Sequence, residues 1–370
     1  MSTTVVPAPT SRLRFGAGRA EITPPVGIYH RLWGAARHDR ASGVHRPLYG
    51  EVMILAPRGG GLPMVRAQFD LAGLAHEQHE RLAGALARQA GLPRAQVIMT
   101  YSHTHSSGWF VSDRVALPGG ELIPAYLEEL EARMVGACRQ ALDNVQPATI
   151  TYATGCCDMA ANRDYYDEAY GSYVCGANPD RPADHTVTVG RITNDAGALI
   201  GTLVHYACHG TTLAWENSLI SPDYVGALRE EMERATGAPS IFLLAPCGDL
   251  GPRDGFVGDG AVADRNGRQL AYAALSALAG MGAPETDFAY QGPVISGATL
   301  GTWAHVPFDS ARQRAAERFE GGMSEVALPV RPRQEPEALR AELEKWEAVQ
   351  RQADARGDSI AARDAGARAE

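Results

Sequence analysis

The chain has 370 residues, of which 45% are hydrophobic and 21% charged, with a formal net charge of −9. That length and apolar content supply a sizeable core for one large or two modest domains. An acidic balance without a basic cluster argues against nucleic acid or an anionic membrane as partner, and no apolar run is long enough to span a bilayer.

Residues 1–12 lack both the basic segment and the apolar core of a signal peptide and read as a disordered leader. A cytoplasmic location is the matching expectation. The six cysteines include no C-x-x-C pair, so they are expected as reduced, buried thiols and not as a structural zinc site. Leu13 to Glu21 reads as a first strand, stopped by Pro24 and Pro25. Val26 to Pro47 is rich in Gly, Arg and His and contains Trp33, which suits a loop over a pocket. Leu48 to Ala56 and Met64 to Phe69 read as strands, the second closed by Asp70. His76 to Ala90 has helical spacing and leads back into a strand, so a βαβ crossover is expected.

That next strand, Val97 to Met99, runs into Ser102-His103-Thr104-His105-Ser106. Alternate residues on a strand share a face, so His103 and His105 should point the same way. Two imidazoles at a strand end suit a metal site, a ligand beside a catalytic base, or two merely hydrogen-bonded histidines. A helix is expected over Pro124 to Asn144, with an apolar stripe through Leu130, Met134 and Cys138. Ala148 to Cys156 follows as a strand. A polar, tyrosine-rich loop runs from Asn162-Arg163 to about Asp184; such loops are more often functional than idle. Arg163 could equally pair with Asp164 or Asp167.

Thr186 to Thr193 and Ala198 to Ala207 read as a hairpin that delivers Cys208-His209-Gly210. Ser221-Pro222-Asp223 reads as a helix start, with Ser221 as N-cap. Ser240 to Ala245 is an apolar strand ending at Cys247-Gly248-Asp249, and a helix follows over Ala261 to Leu278. Strands are expected near Ala289 to Leu300 and Ser324 to Val330. Glu335 to Glu370 reads as one amphipathic helix whose apolar side, with Leu339, Leu343, Trp346 and Val349, needs a partner. Ligand sites in α/β folds gather at strand C-terminal ends, where His103, His105, His209 and Asp249 all fall.

The sequence resembles the neutral/alkaline non-lysosomal ceramidases. Matching stretches, in the family's order over roughly Phe15 to Arg333, include Phe15 through Pro25 and Ser42-Gly43-Val44-His45-Arg46-Pro47-Leu48-Tyr49. Others are His103-Thr104-His105-Ser106, Asn162-Arg163, His209-Gly210-Thr211-Thr212, Ile220 through Gly226 and Cys247 through Pro252. The resemblance implies an α/β fold with mixed β-sheets flanked by helices, and a Zn2+-dependent hydrolase acting on a lipid-like amide of sphingolipid type. It implies His103 and His209 as metal ligands, His105 as the catalytic partner beside the metal, and Arg163 facing the substrate carbonyl.

The family's remaining ligands, a glutamate and a tyrosine, have no match here. Residues 13–333 are therefore expected as the zinc-hydrolase domain. Residues 334–370 are expected as the start of a segment that continues in the family, with a further segment or second polypeptide completing the site. Asp70, Asp223 and Asp249 are the candidate carboxylates if one does serve as a ligand. Ser107-Gly108-Trp109 replaces the family's Gly-Pro-Gly, and Trp109 would reshape the pocket mouth. Two other readings stay open. One is an amidohydrolase-type barrel ligating through both His103 and His105, for which eight regular βα units are wanting. The other is a catalytically incomplete member that binds a ligand or partner.

Overall fold

Eight of the apolar runs become strands of one mixed sheet: β1 (Thr10–Glu21), β2 (Tyr49–Ala56), β3 (Met64–Phe69), β4 (Val97–Tyr101), β5 (Gln146–Cys156), β6 (Thr186–Asn194), β7 (Leu199–Tyr206) and β8 (Ser240–Leu244). The computed structural model describes residues 4–323, 326–330, 332 and 335–369. In space the strands run β8-β7-β6-β5-β1-β2-β3-β4. The four main helices are α1 (His76–Ala90), α2 (Ile123–Asp143), α3 (Tyr224–Thr236) and α4 (Gly260–Ala279).

The two ends of the sheet are built alike. At one, α1 carries the chain from β3 to a parallel β4, as the βαβ pattern implied. At the other, α3 carries it from β7 to a parallel β8. All other neighbours are antiparallel. The sheet curls until edge strand β8 lies against β3 and β4. Right-handed strand twist, summed over eight strands, favours such curling.

Alternation within the strands divides the core. Phe69, Leu86, Val97, Leu130 and Met134 join one face to α1 and α2. Val189, Tyr206, Tyr224, Phe242 and Leu270 join it to α3 and α4. Leu13, Phe15, Ile150, Ile192 and Ile241 fill the other face. Burying each such side chain contributes about 1.5–3 kcal/mol. Gly16 and Gly18 let α2 lie directly on β1, where a Cβ would strike the carbonyls of Ala141 and Ala137.

Several expectations change. The leader expected over 1–12 instead supplies a short strand, Val5–Val6, and the first residues of β1. Among its described residues, 4–12, Val5 and Val6 pair with the strand β9 (Thr286–Ser296). The single strand expected near Ala289 to Leu300 is two, β9 and β10 (Ala298–Pro307), joined at Gly297, whose φ of 75° only glycine adopts freely. The strand expected over Ser324 to Val330 falls partly outside the described residues, and 326–330 form no regular element.

A short α5 (Ser310–Ala316) follows β10. The single terminal helix is two, α6 (Pro336–Ala355) and α7 (Ser359–Ala369), turned at Gly357 with φ 72°. α7 partners α6 and docks on the loop after β1, where Arg363 donates to the Ala36 carbonyl at 3.0 Å and pairs with Asp39 at 3.3 Å. All six cysteines are free, but Cys156 and Cys175 are exposed, since both lie on strand faces without a covering layer.

Candidate metal centre

β4 and β7 stand far apart in strand order, yet the curl of the sheet brings the loops after them together. His103, His105 and His209 each offer a ligand atom, all within 4.8 Å of one another. The expected strand geometry is not the cause. β4 ends at Tyr101, and His103 has φ 59°, outside the β region. That left-handed residue turns the chain, so Thr104 bridges in parallel to Gly210 and His105 N donates to the Gly210 carbonyl at 3.0 Å. Gly210 has to be glycine: a Cβ there would come within 2.8 Å of Thr104 Cα.

Two of the imidazoles are clamped alike. His103 Nδ1 donates to the Ala72 carbonyl at 2.6 Å, and His209 Nδ1 to the Cys247 carbonyl at 2.8 Å. A carbonyl only accepts, so both rings are held in the tautomer with a bare Nε2, the form that binds a metal. His105 differs: its Nε2 is buried with no hydrogen-bond partner among the described residues. Burial, with His103, His209 and Arg163 nearby, pushes its pKa down to about 3. Burial likewise lowers His209. His105 and His209 are thus both biased toward the neutral form, and a set of imidazole nitrogens fits a divalent ion of the zinc type.

Arg163 is pinned by its backbone: its N–H donates to the Asp249 carbonyl at 2.9 Å, and its carbonyl accepts from Gly176 at 2.8 Å. The loop that carries it holds a small hairpin, Asp164–Asp167 with Ser172–Cys175. Among the described residues Arg163 makes no ion pair with Asp164 or Asp167, and its charge acts on His105, His209 and Cys247. Gly251 lies beside its side chain, where a Cβ would meet Arg163 Cβ and Cδ at 3.9 Å, an ordinary contact.

None of the three candidate carboxylates joins the cluster. Asp70 is fully buried against Arg229 at 2.9 Å. Asp223 accepts from the N–H groups of Leu213 at 2.9 Å and Tyr224 at 2.7 Å. It, and not Ser221, is the N-cap of α3, because its left-handed φ of 56° ends the preceding loop. Asp249 is exposed, and the carbonyl that orients His209 belongs to Cys247. Cys208 sits buried beside His209 with its thiol pKa raised by burial, so no Cys-His pair forms.

Sequence reasoning missed the two carbonyl clamps, which carry no side-chain signal. It placed Trp33 in a loop over a pocket but not its contact: the indole lies 5.2 Å from the His105 ring, with Phe256 and Trp215 edge-on behind it. Trp109 lies over Gly73, next to the Ala72 clamp.

An α/β chain whose curled mixed sheet gathers three histidines that could hold one ion defines the class of protein here, one with a candidate histidine metal site. Residues 13–255 match the model of the family described as neutral/alkaline non-lysosomal ceramidase, N-terminal. The chain belongs to that family. It is 23% identical over 250 residues to the neutral ceramidase of Pseudomonas aeruginosa, covering 65% of this chain and 37% of that protein. The crystal structure of that organism's neutral ceramidase superposes with a TM-score of 0.61 at 20% identity, covering 78% of this chain and 48% of the other. A ceramidase complexed with C2 gives 0.61 at 19%. The chain thus spans less than half the length of these relatives.

Proposed function

We propose that this chain carries the histidine centre of a zinc-dependent hydrolase that cleaves the amide bond of a ceramide-like N-acyl lipid. The observation that carries the reading is the cluster itself: three imidazoles within reach of one ion, two of them clamped at Nδ1 so that Nε2 is free. His103 and His209 would hold the ion. When bound, zinc would supply a Lewis acid and lower the pKa of a coordinated water.

The remaining steps belong to the chain. His105, neutral and without a partner at Nε2, would accept a hydrogen bond from the attacking water and orient it. Arg163, held at its backbone on both sides, would face the substrate carbonyl and stabilise the negative charge that develops there. Trp33 would exclude water from the outer side of His105.

A second reading follows from the same cluster. His105 could be the third nitrogen ligand, since a three-histidine set leaves a fourth position open for water. Metal analysis of the chain tests the proposal, together with chelator-sensitive release of fatty acid from N-acyl sphingoid bases of short and long acyl length. Bound zinc that is lost on replacing His103 or His209 is the expected result. A folded chain that binds no zinc, or turnover indifferent to both histidines, would overturn it.

A further inference from the structure

Ser221, His45 and Asp264 stand in the order of a hydrolase nucleophile, base and acid. His45 Nδ1 lies 2.9 Å from Ser221 Oγ, and its Nε2 lies 3.3 Å from Asp264 Oδ1. The serine is no nucleophile. It is fully buried, and its Oγ already accepts from the Asp223 N–H at 3.0 Å. The Asp264 carboxylate nearby favours the proton on His45 Nε2 electrostatically, which leaves Nδ1 to accept from the Ser221 hydroxyl. Every hydrogen-bonding position of that hydroxyl that the site offers is thus committed.

Ser221 stands at the junction between the two histidine-bearing loops. On the first loop, Ser221 N donates to the Ser106 carbonyl at 2.9 Å, and Thr104 Oγ1 donates to the Ser221 carbonyl at 2.8 Å. On the second, Asp223 holds Leu213 N, and Tyr224 OH donates to the Cys208 carbonyl at 2.7 Å. Between them stands Asp223 in a left-handed backbone at φ 56°, a conformation that costs an L-residue energy and persists only when its surroundings impose it. The bond from Asp223 N to Ser221 Oγ is the contact that holds it on the Ser221 side.

We propose that Ser221, fixed by His45, is a positioning residue that sets the spacing between the His103–His105 loop and the His209 loop. The inference rests on the reading of His103 and His209 as metal ligands. Ser221→Ala keeps the backbone bonds and the direct tie from His105 N to the Gly210 carbonyl but releases Asp223 N, so the second link between the loops loosens and the Nε2 atoms shift off their common point. Outer partners of metal ligands are typically worth about 10- to 100-fold in affinity, and about tenfold is expected here, one step further out.

Two readouts test this. The first is the affinity of the full chain for Zn2+ by chelator competition. The second is the exchange protection of the His103 and His209 Nδ1–H protons by NMR without metal. Ser221→Ala and His45→Leu should each weaken zinc about tenfold and speed that exchange. His45→Asn, whose amide oxygen can accept where Nδ1 did, should restore both. Wild-type affinity and protection in Ser221→Ala, or no difference between His45→Leu and His45→Asn, would overturn the inference. The His45 pair decides the matter even if Ser221→Ala fails to fold. A wild-type chain that binds no zinc, but whose protected protons respond as described, would sink the ligand reading and leave the positioning role standing.

Discussion

Replacing Asp70 by Ala separates a structural carboxylate from a metal ligand. Asp70 and the Arg229 side chain are 0% and 4% exposed and meet at 2.9–3.0 Å through both carboxylate oxygens. Asp70 Oδ2 also accepts from Tyr49 N at 3.0 Å. Removing one partner of a buried pair costs about 3–5 kcal/mol, because the other charge stays buried. Glu51 remains 3.9 Å from Arg229 Nε, and Arg229 lies over the Tyr49 ring at 5.3 Å, so part of that charge stays compensated. The low end is expected, about 3 kcal/mol, with about 1 kcal/mol more for the orphaned Tyr49 N–H. Urea unfolding of Asp70→Ala should read a loss of about 3–4 kcal/mol, while zinc bound per folded molecule stays close to wild type. Unchanged stability with lost zinc would refute the structural reading and make Asp70 a ligand.

His105→Ala should cut turnover by about 10²-fold or more while zinc content stays nearly intact, since the clamped pair remains; zinc lost together with activity would make it the third ligand. Arg163→Met should lower kcat by about 10²–10³-fold with zinc content unchanged, and full activity would remove it from the site. His30 is buried, with its Nε2 on the Ser106 carbonyl at 3.1 Å and its Nδ1 on His38, and burial pulls its pKa from 6.5 down to about 4. A depressed histidine gives stability that is present above pH 6.5 and lost as pH falls toward 4, because the unfolded chain takes the proton first. Between pH 7 and pH 5 the wild type should lose about 2 kcal/mol more than His30→Gln in urea titrations, and parallel curves would contradict the assignment.

Local pattern determined a good deal by itself. The apolar run from Met64 to Phe69, the helical spacing of Leu82 and Leu86 and the run at Val97 were enough to expect β3-α1-β4. The turn at Asn194 to Gly197 announced the β6-β7 hairpin. Side-chain chemistry at His103, His105, Arg163 and His209 marked the candidate site, because those groups keep their character wherever the chain puts them. The tertiary structure decided the rest. Only the curl of the sheet brings the ends of β4 and β7 together, and no local pattern encodes an approach between strands so far apart in the strand order. The convergence of His103 with His105 came from a left-handed backbone at His103, not from strand alternation. The Ala72 and Cys247 clamps are backbone carbonyls, which every residue has, so no residue type could reveal them. The N-cap moved from Ser221 to Asp223 for a related reason: the buried hydroxyl is taken by the distant His45 and by the Asp223 N–H, which leaves the capping to Asp223.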